Sequence, residues 1–333
     1  MKKVVVLGAG SWGTALSMVL SGKGYEVFLW EVLKEKAEEI EKTRENKKFL
    51  PSIKLNDNIH VVNDKEDILK DIEYVVCSVP SQVLRSVVKE FIPQLTKNHI
   101  IINTAKGLEM STGLRLSEVL KEELPKEYHD NIVVLSGPTH AEEVAVGLPT
   151  TIVASGKLEI AKKVQELFNC ENFRVYASED MIGVEIGGAV KNCLAIGAGI
   201  ADGMGFGDNT KAALITRGIA EIIRYGKANG AKEITFSGLS GIGDLIVTCA
   251  SKHSRNRHVG EMLGKGKSLE EILSEMVMIA EGVPTVKAVY TNAKKLNVSM
   301  PIIEGIYSVL YENVDGRQVV VDLMNRASKE EFY

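Results

Sequence analysis

A valine-rich run, Lys3–Leu7, leads directly into Gly8-Ala9-Gly10-Ser11-Trp12-Gly13. No other feature limits the fold as strongly. The GxGxxG follows a strand-like run and opens a helix-like one, the context that gives the motif its meaning. Gly8 permits a tight turn, Gly10 lets a pyrophosphate approach the backbone, and Gly13 lets the helix pack on the strand. The helix that starts at Ser11 and Trp12 offers free N–H groups and the positive end of its dipole to an anion. The spacing predicts a βαβ unit that binds a dinucleotide; a glycine-rich turn without a ligand is the bland alternative.

The next 170 residues repeat the pattern. Short Val/Ile-rich runs fall at Glu26–Trp30, His60–Asn63, Tyr74–Val79, His99–Asn103, Asn131–Ser136, Thr150–Ala154 and Phe173–Ala177. Most are continuously apolar, as strands buried on both faces of a parallel sheet should be. Helical patterns separate them at Trp12–Leu20, Lys34–Glu45, Gln82–Phe91, Leu116–Leu124 and Leu158–Phe168. This alternation predicts a doubly wound, Rossmann-like α/β domain. Beyond Met181 helical periods take over: Asn209–Asn229, Leu269–Met278 behind a Ser268/Glu271 capping box, and Pro301–Glu312 with proline in the first turn. The chain of 333 residues is thus expected to form a dinucleotide-binding domain over 1–182 and an all-α domain over 183–333. Their junction should be a helix, so the domains should pack together.

Composition narrows the function. Forty basic and 44 acidic side chains give a net charge of −4, which argues against a nucleic-acid or anionic-membrane binder but not against a small anion. Four scattered cysteines without a CxxC pair and six histidines without ligand spacing indicate no metal and no disulfide framework. No charge-free apolar run is long enough for a membrane span. The expectation is a cytoplasmic protein.

Several residues carry chemistry. Glu31 ends the second strand about 20 residues after the glycines, where an acid holds the adenosine ribose 2′-OH and repels a 2′-phosphate. The alternative for Glu31 is an exposed loop acid, and Arg44, Lys47 and Lys48 downstream could meet a 2′-phosphate; the reading leans toward NAD(H) over NADP(H). Loops at Ser78–Ser81, Thr104–Gly107 and Ser136–Thr139 leave later strands at the carboxyl edge where ligands bind, and Lys106 should point a cation there. The run Ile182–Ala201 is small or apolar all round, so it should be a buried helix. Its ionisable groups are Glu185 and Lys191. Six residues apart, they stand about 120° out of phase and do not face each other. Burial lowers a lysine's pKa toward the useful range, which makes Lys191 a candidate acid/base with Asn192 beside it. In Gly238–Leu245, Asp244 either caps a helix or orients Lys191. The stretch Ser251–His258 has the composition of a phosphate site, against the alternative of a solvated basic loop.

Together these motifs identify a resemblance that spans nearly the whole chain. GAGSWGTA, VPSQ, AKGLE, SGPTHAEE, GGAVKN, AIGAGIADG, NTKAALITRG, GLSGIGDL, SRNR and AEG, in this order, resemble the bacterial NAD(P)-dependent sn-glycerol-3-phosphate dehydrogenases. The resemblance implies reduction of dihydroxyacetone phosphate to sn-glycerol 3-phosphate in the cytoplasm, feeding phospholipid synthesis, with a homodimer compatible with it. It implies that Lys191 is the proton donor and acceptor. Lys106, Gly137, Thr139, Asp244, Ser254, Arg255 and Asn256 match its substrate positions. Ser11, Trp12, Lys106, Ala141, Arg255, Ile279 and Glu281 match its cofactor positions. Lys106 and Asn192 are expected to steady the developing alkoxide, with Asp244 orienting Lys191. Many relatives carry Arg or His just after the second-strand Trp, where this chain has Glu31-Val32, in keeping with the lean to NAD(H). A ketopantoate-type reductase and a non-catalytic dinucleotide sensor are the competing readings.

Overall fold

The computed structural model describes residues 2–328 and 330–331. Eight described strands form one sheet: β1 (Lys3–Leu7), β2 (Glu26–Trp30), β3 (Ile59–Val62), β4 (Tyr74–Cys77), β5 (Ile100–Asn103), β6 (Ile132–Ser136), β7 (Thr150–Ser155) and β8 (Phe173–Ser178). Their order is β3-β2-β1-β4-β5-β6-β7-β8. The twofold period of a strand sends Val4 and Val6 to one face and Val5 and Leu7 to the other. Helices cover both faces. On the first lie α1 (Ser11–Gly22), α2 (Lys34–Thr43) and α6 (Leu158–Phe168); on the second lie α3 (Leu84–Phe91) and α4 (Leu116–Glu123). Double coverage is why these strands are continuously apolar.

Leu7 pairs with Trp30 on one side and with Cys77 on the other. The strand order reverses between β1 and β4, so the glycine turn, Glu31 and the Ser78–Ser81 loop emerge side by side at the carboxyl edge. Such a switch point is where an open α/β sheet binds its ligand.

The sheet is not wholly parallel, contrary to expectation. β7 runs antiparallel to β6, with Val134 opposite Ser155 and Ser136 opposite Val153. Only the short α5 (Ala141–Ala145) lies between them, and Gly147, at φ 77°, turns the chain back. β8 is again parallel to β7, so the last βαβ unit enters reversed. Helix ends also differ. α2 stops at Thr43 rather than Glu45 because Arg44 takes a left-handed φ of 54°.

The second half is helical among its described residues: α7 (Met181–Gly203), α8 (Asp208–Ala228), α9 (Asp244–Ala250), α10 (Arg255–Gly264), α11 (Leu269–Glu275), α12 (Gly282–Lys295), α13 (Pro301–Tyr311) and α14 (Gly316–Met324). The Ser268/Glu271 capping box forms at the start of α11, but the helix ends at Glu275 rather than Met278 because Met276 is extended. α7 is the axis of the molecule. Every residue from Gly183 to Ala201 is buried, so this helix, long and apolar enough to cross a membrane, is a core helix here. Its small residues admit backbones at close range. A Cβ on Gly199 would lie 2.0 Å from the Arg257 carbonyl oxygen, and one on Gly260 would lie 1.9 Å from that of Ile196. α10 can therefore press against α7, which fixes the direction in which α10 begins.

Contacts between the halves are polar as well as apolar. Glu185 on α7 accepts from the Ser117 N–H and from Arg115 Nη1, both at 2.8 Å. Val184 packs on Val134 and Val153 of the sheet. The junction is thus a buried helix and not a tether.

Candidate active site

A cleft of about 600 Å³ runs along the carboxyl edge of the sheet and under α7, α10 and the segment before α12. Its dinucleotide end is shaped by glycines. Gly8 has φ 108°, and a Cβ on Gly13 would lie 2.0 Å from the Gly8 carbonyl oxygen. Around Gly10 a Cβ would meet nothing within 4 Å, which leaves room for a ligand against the backbone. The Trp12 Nε1 beside it is buried without a hydrogen-bond partner among the described residues. A buried donor of this kind calls for an acceptor, so the residues present fit a pyrophosphate.

Glu31 lies in the wall of this end. It is buried, not an exposed loop acid, and one carboxylate oxygen accepts the Leu33 N–H at 3.1 Å. Arg44 does not reach the cleft. It pairs with Glu41 at 2.8 Å and donates to the Asn56 and Ile59 carbonyls at 2.7 Å each. Lys36, not anticipated from sequence, lines the cleft with its ammonium 5.8 Å from the Phe49 ring centre.

At the far end three ionised groups interlock. The Lys191 ammonium donates to Asp244 Oδ1 and to Thr248 Oγ1, both at 2.7 Å. Asp244 accepts at its other oxygen from Lys106 Nζ at 2.9 Å. Lys106 also donates to the Gly137 carbonyl at 2.7 Å and to Thr139 Oγ1 at 3.2 Å. An ammonium has three protons to donate. Those of Lys106 are all engaged, whereas Lys191 keeps one. Burial pulls the Lys191 pKa down to about 8; the Asp244 charge opposes this and the Lys106 charge adds to it.

The local sequence explains the meeting. α7 supplies Lys191 from its buried face. A Cβ on Gly187 would lie 2.3 Å from the Ser240 carbonyl oxygen, so the turn at Leu239–Gly243 can lie against α7 and start α9 with Asp244 under Lys191. Asp244 is 1% exposed and, with Gly137 and Gly13, lies behind the wall rather than on it. Thr248, one turn after Asp244, is a partner the sequence did not reveal.

The other expected residues divide. Asn192 lines the cleft, but its amide donates to the Lys106 and Gly188 carbonyls and accepts from Asn256 Nδ2 at 2.9 Å. Both N–H groups of the amide are engaged in these contacts, and it props the Lys106 loop. Asn256 in turn accepts the Gly282 N–H at 2.8 Å. The basic stretch is split by α10. Arg255, exposed, faces the cleft, while Arg257 pairs with Asp202 at 2.7 Å and Glu261 at 3.2 Å. Ser254 caps α10 by accepting the Arg257 N–H, so the first N–H groups of that helix remain for an anion. Ala141 and Ile279 line the cleft. Glu281, whose carboxyl is raised by burial, accepts the Ser81 N–H at 2.9 Å and the Ser81 hydroxyl, tying the two halves. Ser11 Oγ donates to the Phe49 carbonyl at 2.8 Å and touches the Met278 sulfur. His140 and His253, also unanticipated, line the cleft.

Known proteins match this arrangement. Residues 3–161 match the family model described as NAD-dependent glycerol-3-phosphate dehydrogenase N-terminus, and 180–321 match its C-terminus. A glycerol-3-phosphate dehydrogenase [NAD(P)+] from Chlorobium phaeobacteroides is 51% identical over 99% of both chains. One from Bacillus subtilis is 48% identical over 100% of this chain and 96% of its own. The crystal structure of the Coxiella burnetii glycerol-3-phosphate dehydrogenase superposes with a TM-score of 0.92 at 35% identity, covering 98% of this chain and 99% of that one. A ketopantoate reductase from Ralstonia eutropha shares the fold, with a TM-score of 0.61 at 14% identity. On sequence, architecture and the arrangement of the cleft alike, the chain belongs to the NAD-dependent glycerol-3-phosphate dehydrogenase family.

Proposed function

We propose that the chain interconverts dihydroxyacetone phosphate and sn-glycerol 3-phosphate, with residues 1–182 holding the dinucleotide and 183–333 most of the triose phosphate. The observation that carries this reading is the pair Lys191 and Lys106, joined by Asp244 behind the wall, which line the same cleft as the N-terminus of α10. When bound, the reduced dinucleotide supplies the hydride that the carbonyl carbon receives. The protein does the rest. The phosphate sits on the first N–H groups of α10 and the Arg255 guanidinium, and Ser254, whose oxygen already accepts, gives its hydroxyl proton. That remote binding places the carbonyl beside Lys191. As charge grows on the carbonyl oxygen, the third Lys191 proton transfers to it, and Asp244 and Thr248 keep the amine aimed. Lys106 contributes its charge to this region and no free N–H. The four cysteines are free thiols, which fits the proposed cytoplasmic setting.

The test is a substrate screen with both cofactors. Dihydroxyacetone phosphate should be turned over and simple 2-keto acids should not. Arg255→Ala should raise KM for dihydroxyacetone phosphate by roughly 10- to 100-fold, the worth of hydrogen bonds to a charged group. Turnover of 2-keto acids in preference would favour the ketopantoate-type reading. NADH binding with no turnover would favour a sensor.

Cofactor choice rests on Glu31. A carboxylate in the wall opposes a 2′-phosphate, and Arg44 is committed elsewhere. We expect kcat/KM with NADH to exceed that with NADPH by on the order of tenfold or more, since juxtaposed like charges cost several kcal/mol. Glu31→Ser should narrow the ratio. A native preference for NADPH would remove Glu31 from this role.

A further inference from the structure

His140 leaves the Ser136–Thr139 loop and immediately precedes α5. Its ring forms part of the cleft wall, and its Nε2 is buried with no hydrogen-bond partner among the described residues. Facing it is His253, from the loop between α9 and α10, with ring centres 5.7 Å apart and planes at 52°. The two rings bridge the cleft from the sheet side to the helical side. Lys106 and Lys191 line the same cleft, near enough for their charges to act on His140, and Ser254 and Arg255 follow His253 in the chain.

A polar atom enclosed in this way is costly unless a partner arrives. The neighbours determine what partner suits it. Burial holds the His140 imidazole below its ordinary pKa, and the Lys191 and Lys106 charges push the same way, against Glu142 and Glu143. The ring is therefore neutral at neutral pH, with one N–H to give. The cleft already holds cations, and the ligand it suits carries carbonyl, hydroxyl and phosphate oxygens. An N–H donor meets such a ligand; a bare ring nitrogen meets it less well.

We propose that His140 is a further substrate-binding residue, whose neutral imidazole donates its Nε2–H to an oxygen of the triose phosphate lying between Lys191 and Arg255. The proposal rests on the function proposed above. His253 lies against the ring from the helical side. Because the contact is made in the bound ground state, its loss should appear in KM rather than kcat.

The experiment uses the full-length protein with NADH and varied dihydroxyacetone phosphate. His140→Phe keeps an aromatic ring and removes the donor. His140→Gln keeps a donor at about the Nε2 position. His140→Phe should raise KM roughly 5- to 150-fold, leave kcat within a few-fold and leave the NADH Kd within twofold. His140→Gln should recover most of the loss. A KM within twofold of native in His140→Phe overturns the proposal. So does an equal rise in both variants, which would mean the ring shape matters and not the donor. A matching loss of NADH affinity would assign the contact to the dinucleotide and overturn it too. If the native protein itself fails to reduce dihydroxyacetone phosphate, the functional reading fails; native turnover with an unaffected His140→Phe sinks the histidine alone.

Discussion

Lys191→Ala should lower kcat for dihydroxyacetone phosphate reduction by about 10²- to 10⁴-fold, the usual worth of a placed proton donor, and leave the NADH Kd close to native. Selectivity is the important part of this expectation. Lys191 lies at the end of the cleft away from the glycine turn, so the dinucleotide contacts survive its loss. The fold should survive as well. Removing one member of a buried ion pair is damaging because it strands the other charge, but Asp244 keeps Lys106 at 2.9 Å and is not stranded. Water that enters the space left by the side chain has no fixed aim and a poor acidity, so it replaces the amine badly. Steady-state turnover, NADH titration and a thermal melt on the same preparation check all three statements. Near-native turnover would remove Lys191 from the proton-transfer role.

Lys191 was legible in the sequence because α7 is so uniform. Two charges in a long run of small and apolar residues are conspicuous, and the period of a helix forbids their pairing with each other. The structure gives Glu185 its own partners, Arg115 and Ser117. What was not legible is whatever depends on a neighbour distant in sequence. Asp244 could be placed as a cap or as a partner, and only the close approach of Gly187 to Ser240 decides between them. Thr248 looks like any hydroxyl on a short helix. Asn192 adjoins Lys191 in sequence, yet consecutive residues on a helix diverge by about 100°, and its amide turns to Lys106 and Asn256 instead. The same rotation separates Arg255 from Arg257, so a stretch that looked like a cluster of cations delivers one guanidinium to the cleft and turns the other to Asp202. The reversed β7 escaped for a different reason. An apolar run specifies burial but carries no direction, and the turn at Gly147 sets that.

Asp244→Asn should be more damaging to the fold than Lys191→Ala and should change the pH dependence of whatever activity remains. Among the described residues Asp244 is the sole anion in contact with both lysines, at 2.7 and 2.9 Å. Asparagine keeps the volume, removes the charge and presents an NH₂ group to an ammonium. Where both lysines are protonated, two cations are then left facing each other in a buried site, and a loss of stability of roughly 3–5 kcal/mol is expected. In the native protein burial pulls the Lys191 pKa down to about 8, with Asp244 opposing and Lys106 adding to the fall. Without the carboxylate its main upward influence is gone, so it falls further. Reduction needs Lys191 protonated. Native kcat for reduction should decline as pH rises past about 8, while oxidation of sn-glycerol 3-phosphate, which needs the free amine, should rise over the same interval. In the variant both limbs should move to lower pH. The stability deficit has a matching sign. A lysine whose folded pKa is depressed holds fewer protons folded than unfolded, so stability climbs with pH above that folded pKa. The climb begins earlier in the variant than in the native protein. With Asp244 ionised in the native protein, the deficit is therefore full below the variant's Lys191 pKa and shrinks as pH rises from there to about 8. Chemical denaturation at a series of pH values, paired with the pH–rate profiles, reads both effects. An unmoved alkaline limb for reduction would mean that Asp244 does not set the proton affinity of Lys191.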